Sequence, residues 1–374
     1  MSQKPSTLLL VALYCGFALT GVGTTLLGCA LPSLAAAWRL NDSTSGLLFA
    51  AQFVGSSTGA LLVRSPLEKC VLRGYLWMVI FGSLIALSPG HLAPLFFIGF
   101  GLGLGQAMTA TSMVFGRIYS TRRGASQSLL NATWGLGAVI CPWIASCWAR
   151  LWPSHWLFLA LALAALFPLL SLASHRPLLA ACAQALQDAS YPSAHLSLLL
   201  PLALFAFLYV GVESSVSGWM MTYMHRQPLS AEILAPFVTS LFWIALLCGR
   251  TAAPVFLKKI SEPHLLTISL VLAIAGTGML LLSRGSISSL ASATWIGFSL
   301  APVFPLCISR LLGITDNPAQ SRWVFAISGT GGAALPWLTG QLAAWQNSLR
   351  IGLLVPLLGT GVMLWLHLYT RPRP

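Results

Sequence analysis

Charge is what this chain has least of. Only 7% of its 374 residues are Asp, Glu, Lys or Arg, and only seven of these are acids. A soluble domain carries roughly 25% charged residues. A globule of this length could not cover itself with so few charges, so a soluble enzyme and a disordered chain are both excluded. Paired cysteines are lacking too. Cys15, Cys29, Cys70, Cys141, Cys147, Cys182, Cys248 and Cys307 form no CxxC and lie mostly in apolar runs. They read as small hydrophobes, with neither a disulfide framework nor a metal site. No Walker phosphate loop occurs, so nothing points to ATP. What fills the chain instead is apolar, at 57% hydrophobic residues. That excess must face lipid, where about 20 apolar residues cross the bilayer core as a helix.

Apolar runs lie near 8–37, 44–63, 71–89, 92–116, 125–149, 154–174, 196–223, 232–256, 265–283, 287–311, 323–346 and 350–369. They predict an all-α membrane protein with twelve transmembrane helices. The net charge of +13 would suggest nucleic acid in a soluble chain. Here the basic residues fall in the breaks, where they set orientation. With the N-terminus in the cytoplasm, fifteen Lys and Arg fall on the cytoplasmic side and five (Arg39, Arg150, Arg226, Arg284, Arg350) on the other. That asymmetry predicts an even number of spans and cytoplasmic termini. It counts Arg250 among the cytoplasmic breaks.

The longest polar stretch is 175–195, read as a cytoplasmic linker between an N-terminal six-helix bundle (1–174) and a C-terminal one (196–374). The halves look duplicated. Leu13-Tyr14-Cys15-Gly16 recurs as Leu208-Tyr209-Val210-Gly211. Gly59 and Lys69 recur as Gly249 and Lys259, and Ile98-Gly99-Phe100 as Ile296-Gly297-Phe298. Gly137 with Pro142-Trp143 recurs as Gly331 with Pro336-Trp337. The same order at nearly one offset predicts two pseudo-symmetric parallel repeats.

Two glycine patterns imitate catalytic motifs. Gly55-Ser56-Ser57-Thr58-Gly59 matches the G-x-S-x-G of a nucleophile elbow, but it lies in an apolar helix without acid and His partners. Gly99, Gly101, Gly103 and Gly105 have no Lys-Ser/Thr after them. Both read as close helix packing by small residues. No catalytic cluster remains, and neither an enzyme nor a cofactor is expected.

The polar residues inside the runs carry the functional signal. Six of the seven acids fall in or beside breaks; Glu213 sits deep in the seventh run. Inserting a carboxylate there costs about 2.5–3.5 kcal/mol, so such a group faces a cavity or a partner. Tyr209 and Ser217 lie four residues either side, on the same helix face. Gln52, Gln106 and Asn131 are intramembrane amides, and Trp134 and Trp243 are aromatic neighbours on the fifth and eighth runs. Amides and indoles together suit a polyol: hydrogen bonds for hydroxyls, flat apolar faces for a ring. The solute-binding candidates are therefore Gln52, Gln106, Asn131, Trp134, Tyr209, Glu213, Ser217 and Trp243. The competing reading is interhelical hydrogen bonding by the amides and interface packing by the indoles.

Tyr209-Val210-Gly211-Val212-Glu213, followed by Ser217-Gly218-Trp219, resembles the seventh helix of fucose/glucose/galactose-type sugar porters of the major facilitator superfamily. Ala30-Leu31-Pro32, Ser45-Gly46-Leu47-Leu48 and Ala301-Pro302-Val303-Phe304-Pro305 agree with that branch. Gly59 to Lys69 resembles a degenerate form of the superfamily's cytoplasmic loop motif, with Val63 and Arg64 where an Asp is expected. The resemblance implies two six-helix bundles around a central cavity, working by alternating access. Members of the branch commonly carry acids in helices 1 and 4. Here Gly28 stands at the first position and Met108, with Gln106 nearby, at the second. Glu213 is then the embedded carboxylate left for proton coupling.

The expectation is a monomeric secondary active transporter, multi-pass in the cell inner membrane, moving a small polar solute, a sugar, with protons as co-substrate through Glu213. Its partners are that solute and the lipid bilayer, not nucleic acid. Two alternatives keep the fold: an exporter of hydrophobic drugs or lipids, and an uncoupled facilitator.

Overall fold

The computed structural model describes residues 6–87, 90–119, 123–183, 195–227, 231–314 and 318–370. Among them no strand occurs. The helices are α1 (Thr7–Trp38), α2 (Asp42–Leu61), α3 (Leu67–Leu87), α4 (Ala93–Ile118), α5 (Arg123–Ala149), α6 (Trp156–Ser174), α7 (Arg176–Ala183), α8 (Leu196–His225), α9 (Ala231–Phe256), α10 (Glu262–Leu282), α11 (Ser286–Leu300), α12 (Val303–Ile314), α13 (Pro318–Trp345), α14 (Leu349–Gly352) and α15 (Leu354–Thr370), with a 3₁₀ turn at Gly90–Leu92. Leu- and Ala-rich runs favour helix intrinsically, and lipid demands it, because a helix satisfies its own backbone hydrogen bonds.

The helices follow the apolar runs to within a few residues. One run divides: Pro302 lacks the N–H that would continue the ladder, and a turn at 301–302 separates α11 from α12. Ten stretches of the described residues are long and apolar enough to cross a membrane. The expected twelve include two more, α2 and α13, which are long enough but more polar. Helix α2 carries Asp42, Gln52 and Ser56-Ser57-Thr58; α13 carries Gln320-Ser321-Arg322 and Gln341. Of the expected linker, Arg176–Ala183 forms α7, and residues 184–194 lie outside the described residues. The Arg117 guanidinium at the end of α4 donates to the Ala183 carbonyl.

The chain forms two compact units, residues 1–34 with 51–190, and residues 35–50 with 191–374. Inside the first, α3 packs on α4 and α6, and α4 on α5. Glycines let backbones touch. A Cβ at Gly137 of α5 would collide with the Ala18 carbonyl of α1, and one at Gly59 of α2 with the Leu102 carbonyl of α4. Inside the second unit the same arrangement recurs: a Cβ at Gly331 of α13 would meet the Phe207 carbonyl of α8, and one at Gly249 of α9 the Phe298 carbonyl of α11. The sequence repeats at 59/249 and 137/331 thus mark equivalent helix crossings. The G-x-S-x-G of α2 is part of this packing, since Gly55 and Gly59 both lie against α4 backbone.

Residues 35–50 cluster with the second unit although they precede most of the first in the chain. Asn41 starts α2 by accepting the Thr44 N–H at 2.8 Å. Asp42 takes both terminal nitrogens of Arg226, at 2.5 and 2.8 Å. Those hydrogen bonds raise the Arg226 guanidinium above its ordinary value. Ser43 donates to Gln341 at 3.0 Å. The Phe49 ring tilts against Trp219 at 5.6 Å, and the Trp219 indole donates to the Pro336 carbonyl at 3.0 Å.

Candidate functional site

The sharpest feature of the second unit is an ion pair inside its helices. Glu213 of α8 receives the Arg250 Nη2 of α9 on one carboxylate oxygen at 3.3 Å. The same nitrogen donates to the Tyr209 hydroxyl at 3.3 Å. Tyr209 is buried, and its ring stacks on Phe304 of α12 at 5.3 Å. The i, i+4 spacing of Tyr209 and Glu213 places both on the face that α9 meets. The pair is not sealed: the Arg250 side chain is 24% exposed and that of Glu213 is 15%.

Arg250 therefore does not lie in a cytoplasmic break, which removes one of the fifteen charges assigned there. It sits inside α9, six residues before the helix ends at Phe256. Sequence reasoning missed it by treating every cation as a loop residue, and no local spacing sets Phe304 against Tyr209. The signal for Arg250 was present, because Thr251 to Phe256 continue the apolar run beyond it. A guanidinium thus faces Glu213, as a carboxylate placed among membrane helices requires.

Ser217 turns its hydroxyl back onto the Glu213 main-chain carbonyl, at 2.7 Å, and does not reach the carboxylate. Hydroxyls in apolar helices commonly bond the carbonyl four residues back. Trp243 is buried at 4% exposure, edge-on to Phe242 at 5.2 Å, in the core of the second unit. Its helix-face neighbour Thr239 bonds the Ala235 carbonyl at 2.8 Å.

In the first unit, Gln52 of α2 and Gln106 of α4 are both buried at 2% exposure. Gln52 donates through its amide nitrogen to the Thr24 carbonyl of α1 at 3.1 Å. Its side-chain oxygen and that of Gln106 are buried without a partner. A buried unpaired acceptor costs about 1–3 kcal/mol, and here two occur on neighbouring helices. Trp134 of α5 is half-buried, and its backbone carbonyl lies where a Cβ at Gly21 of α1 would be. Asn131, one turn earlier, is exposed. The structure thus joins Tyr209 and Glu213 through a cation, brings Gln52 and Gln106 onto one helix pair, and turns the Ser217 hydroxyl onto its own helix. Among the described residues, no group of three or more His, Cys, Asp and Glu is placed to hold a metal ion.

The sequence pattern of the Major Facilitator Superfamily matches residues 13–310. A protein of Saccharomyces cerevisiae, "Bypass of stop codon protein 6", is 20% identical over 377 aligned positions, covering 87% of this chain and 75% of that protein. Among solved structures, a point mutant of the nucleoside transporter NupG superposes with a TM-score of 0.77 at 14% identity, over 97% of this chain and 98% of its own. A D-xylose-proton symporter superposes at 0.74 with 18% identity, over 94% and 96%. At these identities the superpositions speak to the fold.

Proposed function

Because this chain belongs to the Major Facilitator Superfamily, we propose that it is a secondary carrier moving a small polar solute, a sugar, across the membrane by alternating access. The observation that carries the reading is the Glu213–Arg250 pair: a carboxylate and a guanidinium within membrane helices, partly exposed, beside a buried tyrosine ring. Groups this costly among apolar helices face a solute path or each other, and partial exposure favours the path. The buried amide oxygens of Gln52 and Gln106, which have no partner, are further acceptors of the kind a polyol needs. The likeness to a D-xylose-proton symporter and a nucleoside transporter supports a hydroxylated solute.

In this reading α2 and α13 also cross the bilayer, making twelve spans in two six-helix bundles, 1–174 and 196–374. The linker 175–195 and both termini are cytoplasmic, the membrane is the cell inner membrane, and the monomer is the working unit. The branch is that of the fucose/glucose/galactose-type porters, and Glu213 carries the coupled proton. Solute counterflow in proteoliposomes tests the core of this reading. Preloaded D-xylose or D-glucose is expected to drive transient uphill entry of its labelled form. Vesicles with the folded protein that show no exchange beyond protein-free ones for any polar solute refute it.

A further inference from the structure

Two ion pairs in the second unit differ in how completely the guanidinium is used. Arg226 meets Asp42 with both terminal nitrogens, at 2.5 and 2.8 Å, the fork-on-carboxylate geometry of a saturated pair. Arg250 is under-used. Its two bonds come from a single nitrogen, both at 3.3 Å, against about 2.7–2.9 Å for a well-made charge-assisted bond. Its Nε is buried without a partner. A guanidinium has five donors in a rigid fork that matches a carboxylate in two places at once. The fork of Arg250 is held by one edge.

We propose that Arg250 is the anchor for a carboxylate on the solute, and that Glu213 is the occupant which that carboxylate displaces. The inference rests on the carrier reading above and narrows its solute from a neutral sugar to a small hydroxylated monoanion. At rest the pair is neutral. When the solute's carboxylate takes the fork, one guanidinium faces two carboxylates, a net negative charge in a poorly solvated site. Two carboxylates sharing one site cannot both stay ionised, so one proton from solvent binds Glu213. Charge balances again, and one proton moves with each anion. When the solute leaves, Glu213 returns its proton to water and re-forms the pair. Of the other cationic groups in the second unit, Arg310 of α12 reaches His367 of α15 at 3.4 Å, and His367 also meets Thr267 of α10 at 3.1 Å. Cys248 of α9 and Cys307 of α12 are free thiols. Among described side chains, the Tyr209 hydroxyl is the one bonded to the charged groups of the Glu213–Arg250 pair.

The test uses the full chain, purified in detergent and in proteoliposomes, with D-gluconate, D-glucuronate and L-lactate against D-glucose and D-xylose. The acids are expected to raise the melting temperature and to exchange in counterflow, and the neutral sugars to do so at least tenfold more weakly. Arg250→Gln is expected to lose acid binding by tenfold or more, roughly one hydrogen bond to a charged group, with Arg250→Lys in between. Glu213→Gln removes the competitor, so it is expected to bind the acids about tenfold more tightly at alkaline pH and to lose the parent's pH dependence. A merely structural carboxylate would not tighten binding when removed, so this variant decides the matter if Arg250→Gln does not fold. Weaker acid binding in folded Glu213→Gln overturns the proposal. So does exchange of neutral sugar that Arg250→Gln leaves unchanged, an outcome under which the carrier reading stands. Exchange of neither class by the folded parent overturns both.

Discussion

Glu213 is costly where it sits, and Arg250 is what makes the cost bearable. Breaking an exposed ion pair costs about 0–1 kcal/mol, and leaving one partner of a buried pair alone about 3–5 kcal/mol. With side chains 24% and 15% exposed, this pair falls between. Glu213→Ala is therefore expected to destabilise the protein by about 2 kcal/mol, read as a lowered melting temperature in detergent. Glu213→Gln, which keeps an acceptor for Arg250, is expected to lose less than half of that. Equal losses would mean that the carboxylate's charge, and not its hydrogen-bonding oxygen, carries the whole contribution to the fold. The buried amides make the opposite case. Gln52 loses one hydrogen bond, to Thr24, on replacement by Leu, but the change also removes an orphaned oxygen. Gln52→Leu is expected to stay within about 1 kcal/mol of the parent in stability while losing solute binding. A variant that binds as before would return Gln52 to helix packing.

Helix crossings depend on residues with no side chain at all. Gly137 and Gly331 each lie against a backbone carbonyl, and backbone cannot turn aside as a side chain can. Overpacking a well-filled site costs typically about 1–3 kcal/mol. Gly137→Leu and Gly331→Leu are expected at the upper end, about 3 kcal/mol, with early melting and aggregation on gel filtration. Gly361 of α15 has nothing within 4 Å of where its Cβ would be. Gly361→Ala is expected to melt with the parent or slightly above it, because helix propensity favours Ala by about 1 kcal/mol. A Gly137 variant as stable as the Gly361 control would disprove the close crossing of α1 and α5.

Across the whole molecule, the segment 35–50 is where chain order and compact units part company. Helix α2 begins in one unit and ends in the other. What holds its first turns to the second unit is short and identifiable: Asp42 on Arg226, Ser43 on Gln341 and Phe49 on Trp219. The Arg226 side chain is 48% exposed, so the ion pair is screened by salt. Asp42→Asn is expected to speed backbone amide exchange across residues 42–50 several-fold while α8 keeps its protection. High salt should produce the same effect in the parent. Unchanged exchange in both would assign the hold to Phe49 and Trp219 instead.

Composition and periodicity alone determined that the chain is a bundle of membrane helices, because lipid leaves few choices to an apolar backbone and a run of some twenty residues announces itself. They also determined the repeat, because glycines at 59/249 and 137/331 are needed wherever two helices touch through their backbones, and such a need is met residue by residue in each half. Glu213 was legible for a related reason: a carboxylate in an apolar run is costly enough to need a cavity or a partner. Its partner was decided only by tertiary structure. Arg250 is 37 residues away on another helix, and the facing of α8 and α9 is set by side-chain packing along both, which no local spacing encodes. For the same reason the Ser217 hydroxyl, at a suggestive interval from Glu213, bonds its own helix, and the first nine residues of α2 cluster with a unit that the rest of that helix does not share.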